Sequence, residues 1–227
     1  VMRLVGSEMC IRDRYHGART PVRGVPSQES LDEMARGTEA AAMDLASAEV
    51  DLILYGCTSG SFMTDGAALV EKLEGMTGTP VITTSMAVLA ALRALGAKKV
   101  ALATPYRHFI TEGEVEWLKA EGFGVTSALD LDLGETEAER RGINRVPPEV
   151  CYRLGREADR PEADAIFLSC TAMASLTVVE ALERDCGKPV ITSNLASGWY
   201  ALQKLGLSTA IPWPCKLAGV AKPIEMP

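Results

Sequence analysis

The stretch DLILYGCTS (51–59) decides the fold, because a near copy of it, DAIFLSCTA, recurs at 164–172. Each opens on aspartate, runs through a short apolar segment and delivers a cysteine followed by threonine. The run 51–55 is too short for a helix and stops at Gly56, so it reads as a buried parallel strand. The likeness continues downstream. GTPVITTSMA (78–87) pairs with GKPVITSNLA (187–196), and ALRALG (91–96) pairs with ALQKLG (201–206). The offsets are 113 residues at the cysteines, 109 at the prolines and 110 at the closing glycines. Offsets this constant over some forty residues mark a duplicated unit. The expected fold class is therefore α/β, with two pseudo-symmetric lobes. Each is a parallel sheet flanked by helices, and the active site lies between them. The lobes are assigned to 15–97 and 98–207, and 208–227 is read as a C-terminal tail.

Outward from the repeat, short apolar runs and helical periodicities alternate. Strands are expected at 80–83, 100–103, near Val125, at 165–169 and at 190–192. Helices are expected at 65–73, 85–95, 111–121, 147–160, 176–184 and 196–205, with a polar loop after Cys57. An earlier helix, with Leu31, Met34, Ala35, Thr38, Ala42 and Leu45 on one face, is given a capping box from Ser30 and Glu33. This order implies βαβ units with right-handed crossovers.

Composition narrows the function. The chain has 227 residues, 47% of them hydrophobic and 23% charged, enough for a proper core in an ordinary soluble protein. A net charge of -7 argues against nucleic acid, whose phosphates need a basic face. No run of uncharged apolar residues is long enough for a membrane span. Six cysteines stand at positions 10, 57, 151, 170, 186 and 215, in no CxxC pattern, and only two histidines accompany them, so no metal site is expected. Scattered cysteines with no secretory signal fit a reducing cytoplasm. Cys151 and Cys186 read as small buried hydrophobes. The opening VMRLVGSEMCIRDR (1–14) shows neither helical nor strand period and reads as aberrant, non-native sequence.

Ligands of an open parallel sheet bind beyond the carboxyl ends of its strands, where Cys57 and Cys170 are both expected. A helix beginning just after each cysteine would offer unpaired N–H groups and a positive dipole end, lowering the thiol's pKa. The same N–H groups, with the hydroxyls of Thr58, Ser59 and Thr171, suit a substrate carboxylate. Pseudo-symmetry then brings the two thiols to opposite faces of one cleft.

YGCTSGSF (55–62), ATPYR (103–107) and LSCTAM (168–173) resemble the maleate cis-trans isomerase and arylmalonate decarboxylase branch of the Asp/Glu racemase superfamily. The resemblance covers about residues 19–207. It implies that Tyr106 helps to hold a substrate carboxylate and that Asn144, in GINRVPPE (142–149), is a further substrate contact. On the residues alone, Tyr106 also reads as a strand-end aromatic and Asn144 as a helix cap. The branch's decarboxylases carry glycine in place of Cys57, so two cysteines favour an isomerase or racemase. Family members open with a strand and a Pro-Ser-Ser-Asn type loop that residues 1–14 do not match, so lobe one is expected to lack that strand and its ligand.

The resemblance implies a cofactor-independent cis-trans isomerase of a maleate-like dicarboxylate, with Cys57 adding to the alkene and Cys170 supplying a proton. Racemisation of an amino or hydroxy acid by two-thiol proton transfer is the nearest rival. A catalytically silent carboxylate-binding protein is the third reading. No cofactor is expected, and the partners are a small carboxylate substrate and, plausibly for the family, a second copy of the chain.

Overall fold

The computed structural model describes residues 15–20, 24, 28–207 and 214–220. The segment 1–14 and most of the tail lie outside the described residues. Helix α1 (Gln28–Ala46) leads to strand β1 (Ile53–Tyr55), a short helix α2 (Thr58–Phe62) and helix α3 (Gly66–Thr77). Strand β2 (Val81–Thr83) and helix α4 (Thr84–Ala94) complete the first copy. Strand β3 (Lys99–Thr104), helix α5 (His108–Ala120) and strand β4 (Gly124–Asp130) follow. Then come helices α6 (Glu137–Gly142) and α7 (Pro148–Ala158), strand β5 (Ala165–Leu168), helix α8 (Val179–Cys186), strand β6 (Val190–Thr192) and helix α9 (Ser193–Lys204).

Among the described residues the strands form two parallel sheets. β1 pairs with β2, and the second sheet has the order β4-β3-β5-β6. Each sheet has its own apolar packing. Ala42, Ile53, Leu73 and Val81 cluster under the first, and a much larger core surrounds the second. β5 is central and every one of its residues is buried. Ile166, Phe167 and Leu168 have no exposed surface, each stabilising the fold by roughly 1.5–3 kcal/mol. A strand covered on both faces needs this unbroken apolar run, which is why AIFL lacks alternation.

The duplication is repeated in atomic detail. Gly78 and Gly187 both end a helix in the left-handed conformation, with φ of 67° and 72°. Four residues before each glycine a glutamate turns back onto the coming strand. The Val81 N–H donates to Glu74 at 2.8 Å, and the Val190 N–H donates to Glu183 at 3.0 Å. Thr83 and Thr192 then cap α4 and α9, accepting from the N–H groups of Met86 and Leu195. The two capped helices pack against each other, and the Ser197 hydroxyl donates to the Thr84 hydroxyl at 3.3 Å.

Several expectations change. α1 already includes Gln28, so Ser30 lies inside the helix and cannot be its cap. The capping box among the described helices is Thr136 with Glu139, at the start of α6, an element the periodicity does not reveal. The polar loop after Cys57 contains α2. Cys151 is fully buried, whereas Cys186 is half-buried at the end of α8, 3.6 Å from the Arg156 guanidinium.

Candidate active site

Cys57 and Cys170 each stand two residues beyond the end of a strand, β1 and β5. Their surroundings are unequal. Cys57 is half-buried and acts as the N-cap of α2, its sulfur accepting the Gly60 N–H at 3.3 Å. A thiol here takes the place that a serine or aspartate oxygen fills at other helix starts. Gly60 is required by close approach. A Cβ there would lie 2.5 Å from the Tyr55 hydroxyl and 3.0 Å from the Cys57 sulfur. The Tyr55 hydroxyl therefore stands beside the same thiol, and burial, then the Cys57 sulfur, push its pKa up.

Cys170 is 7% exposed and adopts φ of 119°, a region that L side chains rarely occupy. No helix opens directly after it, since the next helical residues are a 3-10 turn at Leu176–Val178. The expectation of a thiol acidified by a helix start is thus wrong for this residue. Burial pushes its pKa up to about 11, against the N–H of Ala172 and the Tyr106 hydroxyl, which pull it down. Cys170 is accordingly a protonated thiol at neutral pH.

The two loops are stitched across the duplication. The Thr58 hydroxyl donates to Ser193 Oγ at 2.9 Å, and the Cys170 N–H donates to the same oxygen at 3.0 Å. One hydroxyl of the second copy thus ties both cysteine loops together. In the other direction, Thr171 of the second copy donates to the Gly56 carbonyl of the first at 3.0 Å. Asn194 steadies that loop by donating to the Thr171 carbonyl at 3.0 Å. Each threonine of the two Cys-Thr pairs spends its only O–H proton on the opposite copy, rather than holding it free for a carboxylate.

Tyr106 follows β3, is buried, and its hydroxyl stands close enough to Cys170 to pull that thiol's pKa down. Burial raises its pKa well above the ordinary value, followed by the Cys170 thiol, Glu114 and Cys57, so its hydroxyl stays a donor. The Ser59 hydroxyl lies 3.9 Å from the Cys57 sulfur. Asn144 sits exposed on a 3-10 turn, Ile143–Arg145, and does not cap α7, whose N-cap is Pro147. The structure thus brings Cys57, Thr58, Ser59, Tyr106, Cys170 and Thr171 to one place and leaves Asn144 on the surface.

Three neighbours escaped sequence reasoning. Ser193 had a signal, since it is the repeat partner of Thr84, each directly following the shared VIT motif. Tyr55 stood inside the quoted stretch but read only as strand. Glu114 on α5 follows Ile110 and precedes Leu118 by four residues each, a charged residue on an apolar stripe.

The family profile described as arylmalonate decarboxylase matches residues 22–218. A maleate isomerase from Nocardia farcinica is 32% identical over 207 residues, spanning 87% of this chain and 80% of that protein. A solved structure of the Nocardia farcinica maleate cis-trans isomerase, a cysteine-to-serine mutant with a covalently bound succinylcysteine intermediate, superposes with a TM-score of 0.83 at 28% identity, covering 90% of this chain and 85% of the other. The structure of unliganded arylmalonate decarboxylase gives a TM-score of 0.73 at 30% identity, covering 83% of each chain. The likeness extends along both copies of the repeat and both cysteine loops, and the chain belongs to the arylmalonate decarboxylase family, in the branch it shares with the maleate isomerases.

Proposed function

We propose that this chain is a cis-trans isomerase of a maleate-like dicarboxylate and that Cys57 and Cys170 do the chemistry. The observation carrying the reading is the unequal thiol pair: a half-buried Cys57 at a helix cap and a buried Cys170, which feels the Cys57 charge, stand on two loops tied together by one serine. The Cys57 thiolate adds to one alkene carbon, the π electrons pass toward the adjacent carboxylate, and the Cys170 thiol gives its proton to the neighbouring carbon. The former double bond then rotates as a single bond. Cys170, now a thiolate, takes a proton back from the same carbon while the carbon–sulfur bond breaks, releasing the trans alkene and restoring the Cys57 thiolate and the Cys170 thiol. A thiol with a raised pKa fits the second role, because once deprotonated it is a strong base.

The succinylcysteine in the Nocardia farcinica relative is the species this addition forms, and it supports the same route here. Tyr106 and Ser59 are proposed to hold the carboxylate on which charge grows. Thr58 and Thr171 are proposed to fix the spacing of the two cysteine loops. Asn144 enters this reading through the resemblance alone. The substrate is a dianion in this reading, and a second copy of the chain is a proposed partner.

Cys57→Ala and Cys170→Ala are each expected to lower maleate turnover by at least about a thousandfold. Mass spectrometry of Cys170→Ser incubated with maleate is expected to find one substrate mass on Cys57. Full turnover by either alanine variant removes that cysteine from the chemistry.

A further inference from the structure

Behind Cys170 lies a carboxyl group that the addition and proton transfer do not use. Glu114 on α5 has no exposed surface. One of its oxygens, Oε1, accepts the Ser169 hydroxyl at 2.6 Å, and Ser169 is the residue before Cys170. The other, Oε2, is buried without a hydrogen-bond partner among the described residues. A carboxylate in such a place would leave a full charge with one neutral donor, so the acid form is favoured. The groups around it agree. Tyr106, from the loop after β3, feels it directly, and it approaches Cys170 and Cys57 in turn. α2, which packs on α5, carries no ionisable side chain. From β4, Asp130 is engaged by His108 at 3.0 Å, and Arg107, just ahead of α5, is engaged by Asp132 at 2.8 Å. Neither His108 nor Arg107 is among the influences on Glu114, which are burial, raising its pKa, and the Ser169 hydroxyl, lowering it.

We infer that Glu114 is a positioning residue, held as the neutral acid behind the Ser169–Cys170 turn, and that loss of its proton closes this site to dianionic ligands. The inference rests on the dicarboxylate reading above. The neutral acid keeps the Ser169 hydroxyl engaged and so supports the Cys170 backbone at its unusual φ of 119°. It also adds no negative charge beside Tyr106, where a carboxylate must settle. Ionised Glu114 would repel that carboxylate through a low-dielectric wall, where charge interactions are strongest. Burial raises the Glu114 pKa to about 8, which places the closure just above neutral pH.

The test compares Glu114 with Glu114→Gln, whose amide keeps the shape of the neutral carboxyl and stays uncharged at every pH. Both proteins carry Cys57→Ser, so that ionisation of that thiol does not contribute. Succinate, an unreactive dicarboxylate dianion, is titrated calorimetrically from neutral pH to about pH 10. With Glu114 present, Kd is expected to rise about tenfold per pH unit above the midpoint, and with Gln to stay within about threefold. Infrared spectra in the absence of ligand are expected to show a protonated-carboxyl band at neutral pH that Glu114→Gln lacks. A missing band, or the same rise of Kd in both proteins, overturns the role. So does a failure of succinate to bind either protein. The isomerase reading stands or falls separately, on maleate turnover by the protein with both thiols at neutral pH.

Discussion

Replacing Ser193 with alanine removes one oxygen and strands two donors. The Thr58 hydroxyl and the Cys170 N–H both donate to Ser193 Oγ, and Thr58 is only 1% exposed. A buried donor left without a partner costs roughly 1–3 kcal/mol. Thr58 can rotate its hydroxyl toward another acceptor, whereas the Cys170 N–H is fixed by a backbone already at positive φ. The expected loss is therefore about 2–4 kcal/mol, most of it from Cys170. Urea denaturation at neutral pH measures it, and Ser193→Ala combined with Thr58→Val apportions it. The double variant is expected to be nearly as stable as Ser193→Ala alone, because the Thr58 hydroxyl contributes little once its acceptor is gone. Turnover is expected to drop at least about tenfold, since this oxygen sets the spacing of the two cysteine loops. A stability change under about 0.5 kcal/mol with unchanged turnover would show that the shared serine does not hold the loops together.

Gly60→Ala places a methyl 2.5 Å from the Tyr55 hydroxyl and 3.0 Å from the Cys57 sulfur, so these side chains must shift. Slower alkylation of Cys57 by iodoacetamide and a loss of about 1–3 kcal/mol are expected, and a normal labelling rate contradicts this. In the duplicated strand clamps, Glu183 is buried and also accepts from the Lys216 N–H at 2.8 Å, whereas Glu74 is exposed. Glu183→Ala is expected to cost about 2–4 kcal/mol in a denaturant series and Glu74→Ala about 1 kcal/mol or less; equal losses refute the distinction. Glu114 binds its proton more tightly folded than unfolded, with a pKa raised from 4.5 to about 8. Its stabilising contribution is fully present below pH 4.5 and is lost as pH rises to about 8, at about 1.4 kcal/mol per pH unit. The stability of Glu114→Gln relative to the unchanged protein is therefore expected to grow by about 4 kcal/mol between about pH 5 and 8, and a constant difference refutes it.

The strands were legible because parallel strands buried on both faces are written as short apolar runs. The periodicity places 190–192 as found and the others within one or two residues, apart from the exposed-edge strand Gly124–Asp130, where it gives only a centre near Val125. The duplication carried the lobes and the paired cysteine loops. What stayed hidden depends on direction rather than residue type. Nothing in Cys-Thr says that Thr58 and Thr171 turn their hydroxyls across the interface, since a side chain's partner 135 or 115 positions away is a tertiary fact. Nor does a cysteine announce a positive φ. Its backbone there is held by Ser193 from another element, which also explains why a helix-start environment was wrongly expected for Cys170. α6 was invisible because EAERRG has no buried residue and so no apolar stripe to read.

The left-handed backbone at Cys170 has a consequence for how this protein can change. At φ of 119° the residue with least strain is glycine, and a side chain there costs on the order of 1–2 kcal/mol. Substitution by glycine therefore relaxes the backbone as it deletes the sulfur, whereas alanine keeps the backbone strain; both give up the bond the sulfur accepts from the Ala172 N–H. A library screened for heat resistance alone would drift toward glycine at this position and fall silent. Only a screen that demands product would keep the thiol in place.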